Sequence, residues 1–381
     1  MQLTEIVFIL IYLIGIFLIA RKYRKTSRLF WLFVFVGLLH LTMSLAYYII
    51  SRYNPADAVG YYLHAQNANR PWLSFFGQDI TFIVFLTYPF AKWFQFSYLE
   101  TTLIYSFIGL LGFLLIIDVL RNLTFNKISL WYLLLLLPNL HFWTVAIGKD
   151  SLVFFSMSFL LYNIYFKKSW VYYLLPVFLI GFIRIHILVF AILAFGATQL
   201  FINKSIRVSR KLILLIALGI LMVALMPMFA DRLRINEERS IMDAIEYFDS
   251  IEAMGGSGVD MRGRNIVVKW LSFMFRPMFF DSHSILTLIA SLENIVWLIM
   301  AYSIFKNLRK KLPNYLSANF WLSLFIVFAV SLPSAYGIYN LGIAMRQKYM
   351  IFPFFIFSFF VAIYRRQIIE AVNNHFRIIR Q

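Results

Sequence analysis

Residues 101–120 read TTLIYSFIGLLGFLLIIDVL, and Asp118 is the single charged side chain in the run. A helix needs about 20 mainly apolar residues to cross the hydrocarbon core of a bilayer, and this stretch has that length. The run is continuously apolar rather than alternating, which excludes the strand of a transmembrane barrel. Lipid satisfies no free backbone N–H or C=O group, so a spanning segment of this kind must be a helix.

Runs like it recur from end to end. Eleven spans are predicted, at about 4–20, 29–51, 101–120, 128–146, 150–166, 170–184, 186–202, 211–230, 282–305, 315–334 and 349–364. The composition agrees. The chain is 62% hydrophobic and 14% charged, against roughly 25% charged in a soluble domain. The fold class is therefore an all-α polytopic integral membrane protein, a single transmembrane domain over 1–381. The first helix, Ile6 to Ala20, has no basic residue before it and a basic cluster after it. That is the reverse of a cleavable signal peptide and predicts a retained helix with its N-terminus outside.

The net charge of +18 comes from 35 Lys and Arg against 17 Asp and Glu. The apolar segment 80–98 decides how those charges fall. It contains Pro89, Lys92 and Gln95. If it lies on or dips into the outer face without crossing, 21 of the 35 basic residues sit in inner loops, beginning with Arg21, Lys22, Arg24 and Lys25. The outer side then holds 14 basic and 15 acidic residues. This is the positive-inside pattern, and a crossing at 80–98 would invert every later loop. The positive charge thus reads as topology and contact with inner-leaflet lipid, not nucleic-acid binding. It leaves two long outer segments that carry interfacial helices, 52–98, whose helix is interfacial or re-entrant, and 231–281, where the apolar VVKWLSFMFRPMFF with Lys269 and Arg276 is predicted to lie along the interface.

The absence of cysteine removes thiolate metal sites, disulfides and cysteine nucleophiles. The six histidines show no metal-ligand spacing. No HExxH, Walker A, GxSxG or dinucleotide fingerprint is present. The ionisable residues that remain concentrate on the outer half. Asp57 follows a span in the stretch DAVGYYLHAQ, where a carboxylate can act as general base toward a sugar hydroxyl. Tyr61 lies beside it, as a stacking or interfacial aromatic. PNLHFWTVAIGKDS supplies His141, Lys149 and Asp150 in a tight outer hairpin. Lys149 can hold a phosphate as a point charge, and Asp150 can hold Lys149 or cap the next helix. GFIRIHILVF places Arg184 and His186 between two apolar runs with almost no loop, as in one kinked or re-entrant unit. Ionisable groups inside the apolar zone mark a site by default. FRPMFFD gives Arg276, SLENIVW puts Glu293 about three turns into a span, and YNLGIAMRQK gives Asn340 and Arg346. An unpaired carboxylate at the depth of Glu293 is costly, which predicts an Arg or Lys partner. Acids mixed with Arg, Lys and His suit an anionic lipid-linked donor, a phosphate leaving group held by cations, and a hydroxyl acceptor.

The order of a span, Asp57 within DAVGYYLHAQ, an apolar outer segment with Pro89, and a further span resembles the first extracytoplasmic loop of GT-C type glycosyltransferases. The blocks FWTVAIGKDS, FRPMFFDSHSILTLIASLEN and NLGIAMRQKYMIFP resemble bacterial membrane proteins of surface-polysaccharide loci, including repeat-unit polymerases of the Wzy and EpsG type. The chain differs from the first pattern in an extra N-terminal helix and in a single acid where the loop usually has a pair. The resemblance implies a GT-C-like fold in a bacterial cytoplasmic membrane, and the charge pattern puts the C-terminus in the cytoplasm. It implies transfer of sugar from an undecaprenyl-phosphate- or diphosphate-linked donor to a glycan hydroxyl. Asp57 would be the base, with Lys149, Arg184, His186, Arg276 and Arg346 on the phosphate side. Asp150, Glu293, Tyr61, His141 and Asn340 would support them. No nucleotide is required, since the donor's phosphate ester holds the energy. A divalent metal stays open, because outer carboxylates could hold one and the cations could replace it. The rival expectations are a transporter or flippase of a lipid-linked saccharide, and a non-catalytic envelope scaffold.

Overall fold

A computed structural model describes residues 2–54, 56–202, 207, 209–213, 216–217, 220, 257–337 and 340–379. Most of the span predicted at 211–230, and residues 231–256 of the second outer segment, lie outside the described residues. Those described form helices and no strand. Seven helical runs are long and apolar enough to cross a membrane: Leu3–Tyr23, Ser27–Tyr53, Tyr98–Leu123, Ile185–Ile202, Ile285–Asn307, Leu316–Tyr336 and Leu341–Ala371. The chain is thus built as a multi-pass α-helical membrane protein. It clusters into two compact units, Met1–Leu188 and Val189–Gln381, each described by itself.

The first unit holds α1 (Leu3–Ala20), α2 (Ser27–Tyr53), α3 (Asp57–Gln66), α4 (Ile80–Tyr88), α5 (Tyr98–Leu123), α6 (Pro138–Thr144), α7 (Lys149–Tyr165) and α8 (Val171–Ile183). α9 (Ile185–Ala197) begins in it. α5 is the central helix. Gly109 and Gly112 let its neighbours approach: a Cβ on Gly109 would lie 2.3 Å from Thr144 O, and one on Gly112 would lie 2.9 Å from the Phe154 ring. At one end of α5 the Ser97 hydroxyl donates to Glu5 of α1 at 2.9 Å, while Ser97 and Glu100 form a capping box. At the other end Asp118 accepts from Lys22, from the Tyr23 hydroxyl at 3.1 Å and from Arg121 at 2.9 Å. α1 turns Ile6, Leu10, Ile14 and Phe17 outward, as a helix at the lipid boundary does.

Two predicted spans take other forms. The segment 128–146 is not one helix. It is a 3-10 stretch, Leu130–Leu136, followed by the short α6. Pro138 has no N–H and drives Leu137 out of helical geometry, so the run breaks there. α7, at 17 residues, forms where a span is predicted and lies at the lower end of the spanning range of about 17–25, while α8, at 13, falls below it. The segment 80–98 is α4 plus a π turn, Pro89–Trp93. The helical run Ile80–Trp93 rises about 21 Å at about 1.5 Å per residue, less than the bilayer core. Tyr62 O–H donates to Phe96 O at 2.8 Å, Trp72 Nε1 to Phe85 O at 2.8 Å and Lys92 Nζ to Ala68 O at 3.1 Å, so the run is stitched to the loop before it.

The second unit holds the rest of α9, α10 (Ile266–Phe275), α11 (Ile285–Asn307), α12 (Asn314–Gly337), α13 (Leu341–Lys348) and α14 (Phe352–Ile379). α14 is its core, with Phe352, Phe354, Phe357, Phe359 and Phe360 fully buried. Trp270 of α10 stacks on Phe328 of α12 and donates Nε1–H to Ser331 at 2.8 Å.

The glycines of the first unit give a paired test. Gly109→Ala places a methyl against a backbone oxygen and should cost about 1–3 kcal/mol, the usual range for overpacking. Gly60, in α3, has nothing within 4 Å of where a Cβ would sit, so Gly60→Ala should be neutral or gain about 0.5–1 kcal/mol in helix propensity. Thermal unfolding in detergent should lower the midpoint for the first variant alone; equal midpoints would refute the close α5–α6 approach.

Candidate functional site

The first unit brings together residues that the sequence scatters over more than a hundred positions. α7 starts at Gly148, whose φ of +148° no side chain adopts readily. The Tyr61 ring lies over this glycine, and a Cβ there would sit 3.2 Å from its edge. Tyr61 therefore seats α3 on the start of α7. Asp57 lies four residues earlier, at the exposed N-terminus of α3 and on the same face as Tyr61.

Beside that contact the charged groups alternate in a closed ring. Lys149 Nζ pairs with Asp79 Oδ1. Asp150 follows Lys149 in the chain, and its Oδ1 lies 3.6 Å from Arg184 Nη2. Arg184 interrupts the helix between α8 and α9 with φ −146° and ψ 72°. Phe182, just before it, accepts the Asp79 N–H at 2.8 Å, which closes the ring. The Lys149 and Arg184 side chains are 14% and 13% exposed, Asp150 is 5% exposed, and Asp79 is the open member at 39%. Asp57, Tyr61, Lys149, Asp150 and Arg184 all belong to this unit, and Arg184 sits in a break between apolar runs. His186 is two residues beyond Arg184, in the first turn of α9 and half-buried. Asp79 completes the ring. Its sequence signal is slight, a lone acid between a loop and an apolar run.

His141 belongs elsewhere. It is fully buried and fills the break that Pro138 makes, with Nε2 2.8 Å from Leu135 O. Its Nδ1 lies 2.8 Å from Nδ1 of His40 on α2, whose Nε2 is 3.0 Å from Ser106 O. A carbonyl oxygen only accepts, so each Nε2 carries a proton, and the bond between the two Nδ1 atoms closes only with a third. Phe113 stacks on His141 at 4.4 Å. The polar chain continues through Ser106 to Ser44 at 2.6 Å and to Tyr12 at 2.9 Å.

Arg276, Glu293, Asn340 and Arg346 fall in the second unit. Arg276 is gripped by Asp281 of its own turn, through Nε at 3.0 Å and through Nη2. Asp281 also accepts the Met278 N–H at 2.7 Å. Glu293 is buried. It accepts the Tyr349 hydroxyl. Lys348 is fully buried; its Nζ donates to Asn294 Oδ1 and to Met274 O at 3.3 Å, and it faces the Trp297 ring. Lys269, also buried, lies 4.3 Å from the Tyr336 ring centre. The sequence does hint at that: Lys269, Ser272 and Phe273 share one helical face. Asn340 caps α13 through Ile343 N–H at 3.1 Å and accepts the Ser257 hydroxyl at 3.0 Å. Arg346 is half-buried on α13. Among the described residues, no group of three His, Asp or Glu side chains is placed to hold a metal ion.

No protein-family model, no curated protein and no solved structure matches this chain.

One property of the second unit is measurable by acidification. Burial pushes the Asp281 carboxyl up, but the hydrogen bonds from Arg276 and Met278 and the charges of Arg276 and His283 outweigh it and hold it below the usual carboxylate range. A carboxyl lowered by folding contributes stability that is complete above its unfolded value of about 4 and is lost as pH falls through its lowered one. The native protein should therefore lose more thermal stability between about pH 6 and about pH 3 than Asp281→Asn does. Parallel losses would remove the Arg276–Asp281 pair from the account of stability.

Proposed function

We propose that this protein is a membrane glycosyltransferase or repeat-unit polymerase of bacterial envelope polysaccharide, using a polyprenyl-phosphate- or diphosphate-linked sugar. The observation that carries the reading is the Tyr61–Gly148 contact. It sets the helix that begins at Asp57 against the start of α7, where Lys149 and, across Asp150, Arg184 supply two sunken cations. In this reading the N-terminal end of α3 supplies the general base, and Lys149 and Arg184 supply the anion seat. In the reaction, the acceptor O–H gives its proton to the Asp57 carboxylate as the oxygen bonds to the sugar's anomeric carbon. The anomeric carbon–oxygen bond to phosphate breaks, and Lys149 and Arg184 take up the charge left on the phosphate. Arg offers a planar fork suited to phosphate oxygens, and Lys a point charge. The extent of the outer segment, its aromatics and its placement at a membrane surface suit a saccharide acceptor arriving from outside and a donor arriving from the bilayer.

A second reading, transport of a lipid-linked saccharide, has one observation in its favour. The chain Tyr12–Ser44–Ser106–His40–His141 places polar groups inside the spans rather than at the outer face alone. The two readings part at Asp57. Asn keeps the size of Asp but takes up no proton. Asp57→Asn should insert normally and lose on the order of 10²–10⁴-fold in product formation, measured with purified protein in liposomes and donor in the accessible leaflet. A wild-type rate would exclude Asp57 as the base.

The reading also requires the site on the outer face, with the N-terminus outside and the C-terminus in the cytoplasm. A cysteine at exposed position 64 should then react with an impermeant thiol reagent in intact cells, and one at exposed position 309 should not. Labelling at 309 from outside would move the site to the cytoplasm.

A further inference from the structure

One carboxylate in the charged ring has left its usual place. Asp79 is the N-cap residue of α4, and an aspartate there ordinarily accepts a backbone N–H of the first turn. Asp79 makes no such bond. Its carboxylate is turned to Lys149 instead. The backbone of Asp79 is fixed without that contact: its N–H is held by Phe182 O at 2.8 Å, at φ +62° and ψ −121°. The side chain is the part left to move. The first-turn amides of its own helix are the partners that an N-cap carboxylate ordinarily takes. Lys149 is sunk and Asp79 is more than a third exposed, so the acid is the outward partner of the pair.

Resting on the anion-seat reading above, we infer that the Asp79 carboxylate is an internal stand-in for the ligand's phosphate. It occupies Lys149 until a phosphate dianion displaces it, and then returns to cap α4. A diphosphate, or the terminal phosphate that the transfer would leave, carries more charge than a carboxylate and offers more strong acceptor oxygens, so it can outcompete Asp79 for Lys149 and reach toward Arg184. A monoanion of carboxylate type is no better than the group already there. The ring is therefore selective for the phosphate or diphosphate class, and between ligands it leaves no sunken cation without a counter-charge. Asp150 plays no such part: it is 5% exposed and fixed in the first turn of α7.

The test uses the full chain in lipid nanodiscs, with inorganic pyrophosphate as the probe and acetate as the monoanion. Removing an internal competitor that fills the seat most of the time raises apparent affinity by the inverse of the free fraction. Asp79→Asn, which can still cap α4, should bind pyrophosphate on the order of 10-fold more tightly than wild type and should bind acetate better as well. Pyrophosphate added to wild type should slow amide exchange at Thr81 and Phe82, as the carboxylate returns to α4. The same amides in Asp79→Asn should not respond. Binding to Asp79→Asn that is equal to or weaker than wild type overturns the inference while leaving the anion seat standing. No binding to either protein, with both folded by thermal melt, overturns the anion seat itself. Competition by a polyprenyl monophosphate in the disc assigns the seat to a lipid headgroup; its absence assigns it to a soluble diphosphate. The displacement of Asp79 holds for either source.

Discussion

A helix that stops inside a membrane protein frees backbone N–H and C=O groups that lipid will not satisfy. Among the described residues, several buried polar side chains are found at or against such stops. Where Pro138 ends the 3-10 stretch, His141 takes Leu135 O. Where α8 ends at Arg184, the Asp79 N–H takes Phe182 O. Where α10 gives way at Arg276, Asn294 Nδ2 takes Pro277 O at 2.7 Å, Asp281 takes the Met278 N–H, and Lys348 takes Met274 O. The breaks need polar partners, and the partners bring charge to depths where it would otherwise be too costly. A chemical site placed at the breaks uses groups that the backbone already requires.

The charged ring of the first unit shows how such groups are kept tolerable to the fold. Each cation there stands against an acid, and the four alternate along a circuit closed partly by peptide bonds and partly by side chains. Removing one member of a buried pair is far more costly than never having had it, because the partner stays behind uncompensated. In the second unit Arg276 likewise stands against Asp281, but two buried lysines are held in another way. Lys348 meets a carbonyl oxygen, an amide oxygen and a ring face, and Lys269 meets a ring face, contacts that attract a cation without a full counter-charge.

Hydropathy reads residues one window at a time, and that sets what it can find. The long runs Tyr98–Leu123 and Ile285–Asn307 are legible because an apolar stretch of that length has few other uses. The convergence of Lys149, Asp150 and Arg184 is legible as a set of ionisable groups at short turns between apolar runs. The split of 128–146 escapes a window reading although Pro138 announces it, because the average apolarity is the same whether or not the helix continues. The pairs Asp79–Lys149 and His40–His141 lie 70 and 101 residues apart, and no local pattern records which distant element will come to rest beside which. Lys348 reads as interfacial for the same reason: a lysine beside a span looks alike whether it snorkels outward or turns into the core.

The two buried imidazoles have a consequence for descent. Each ring is fixed at both nitrogens, by a carbonyl on one side and by the other ring on the other. Changing either histidine alone leaves the survivor with a nitrogen facing nothing, inside an apolar core. Changing both to a complementary apolar pair restores the balance in one step, apart from the carbonyl at the Pro138 break. Positions 40 and 141 therefore behave as a single heritable character. In any set of relatives they should be kept together or lost together, and a lineage that has straightened the helix at 138 should be the one free to give them up.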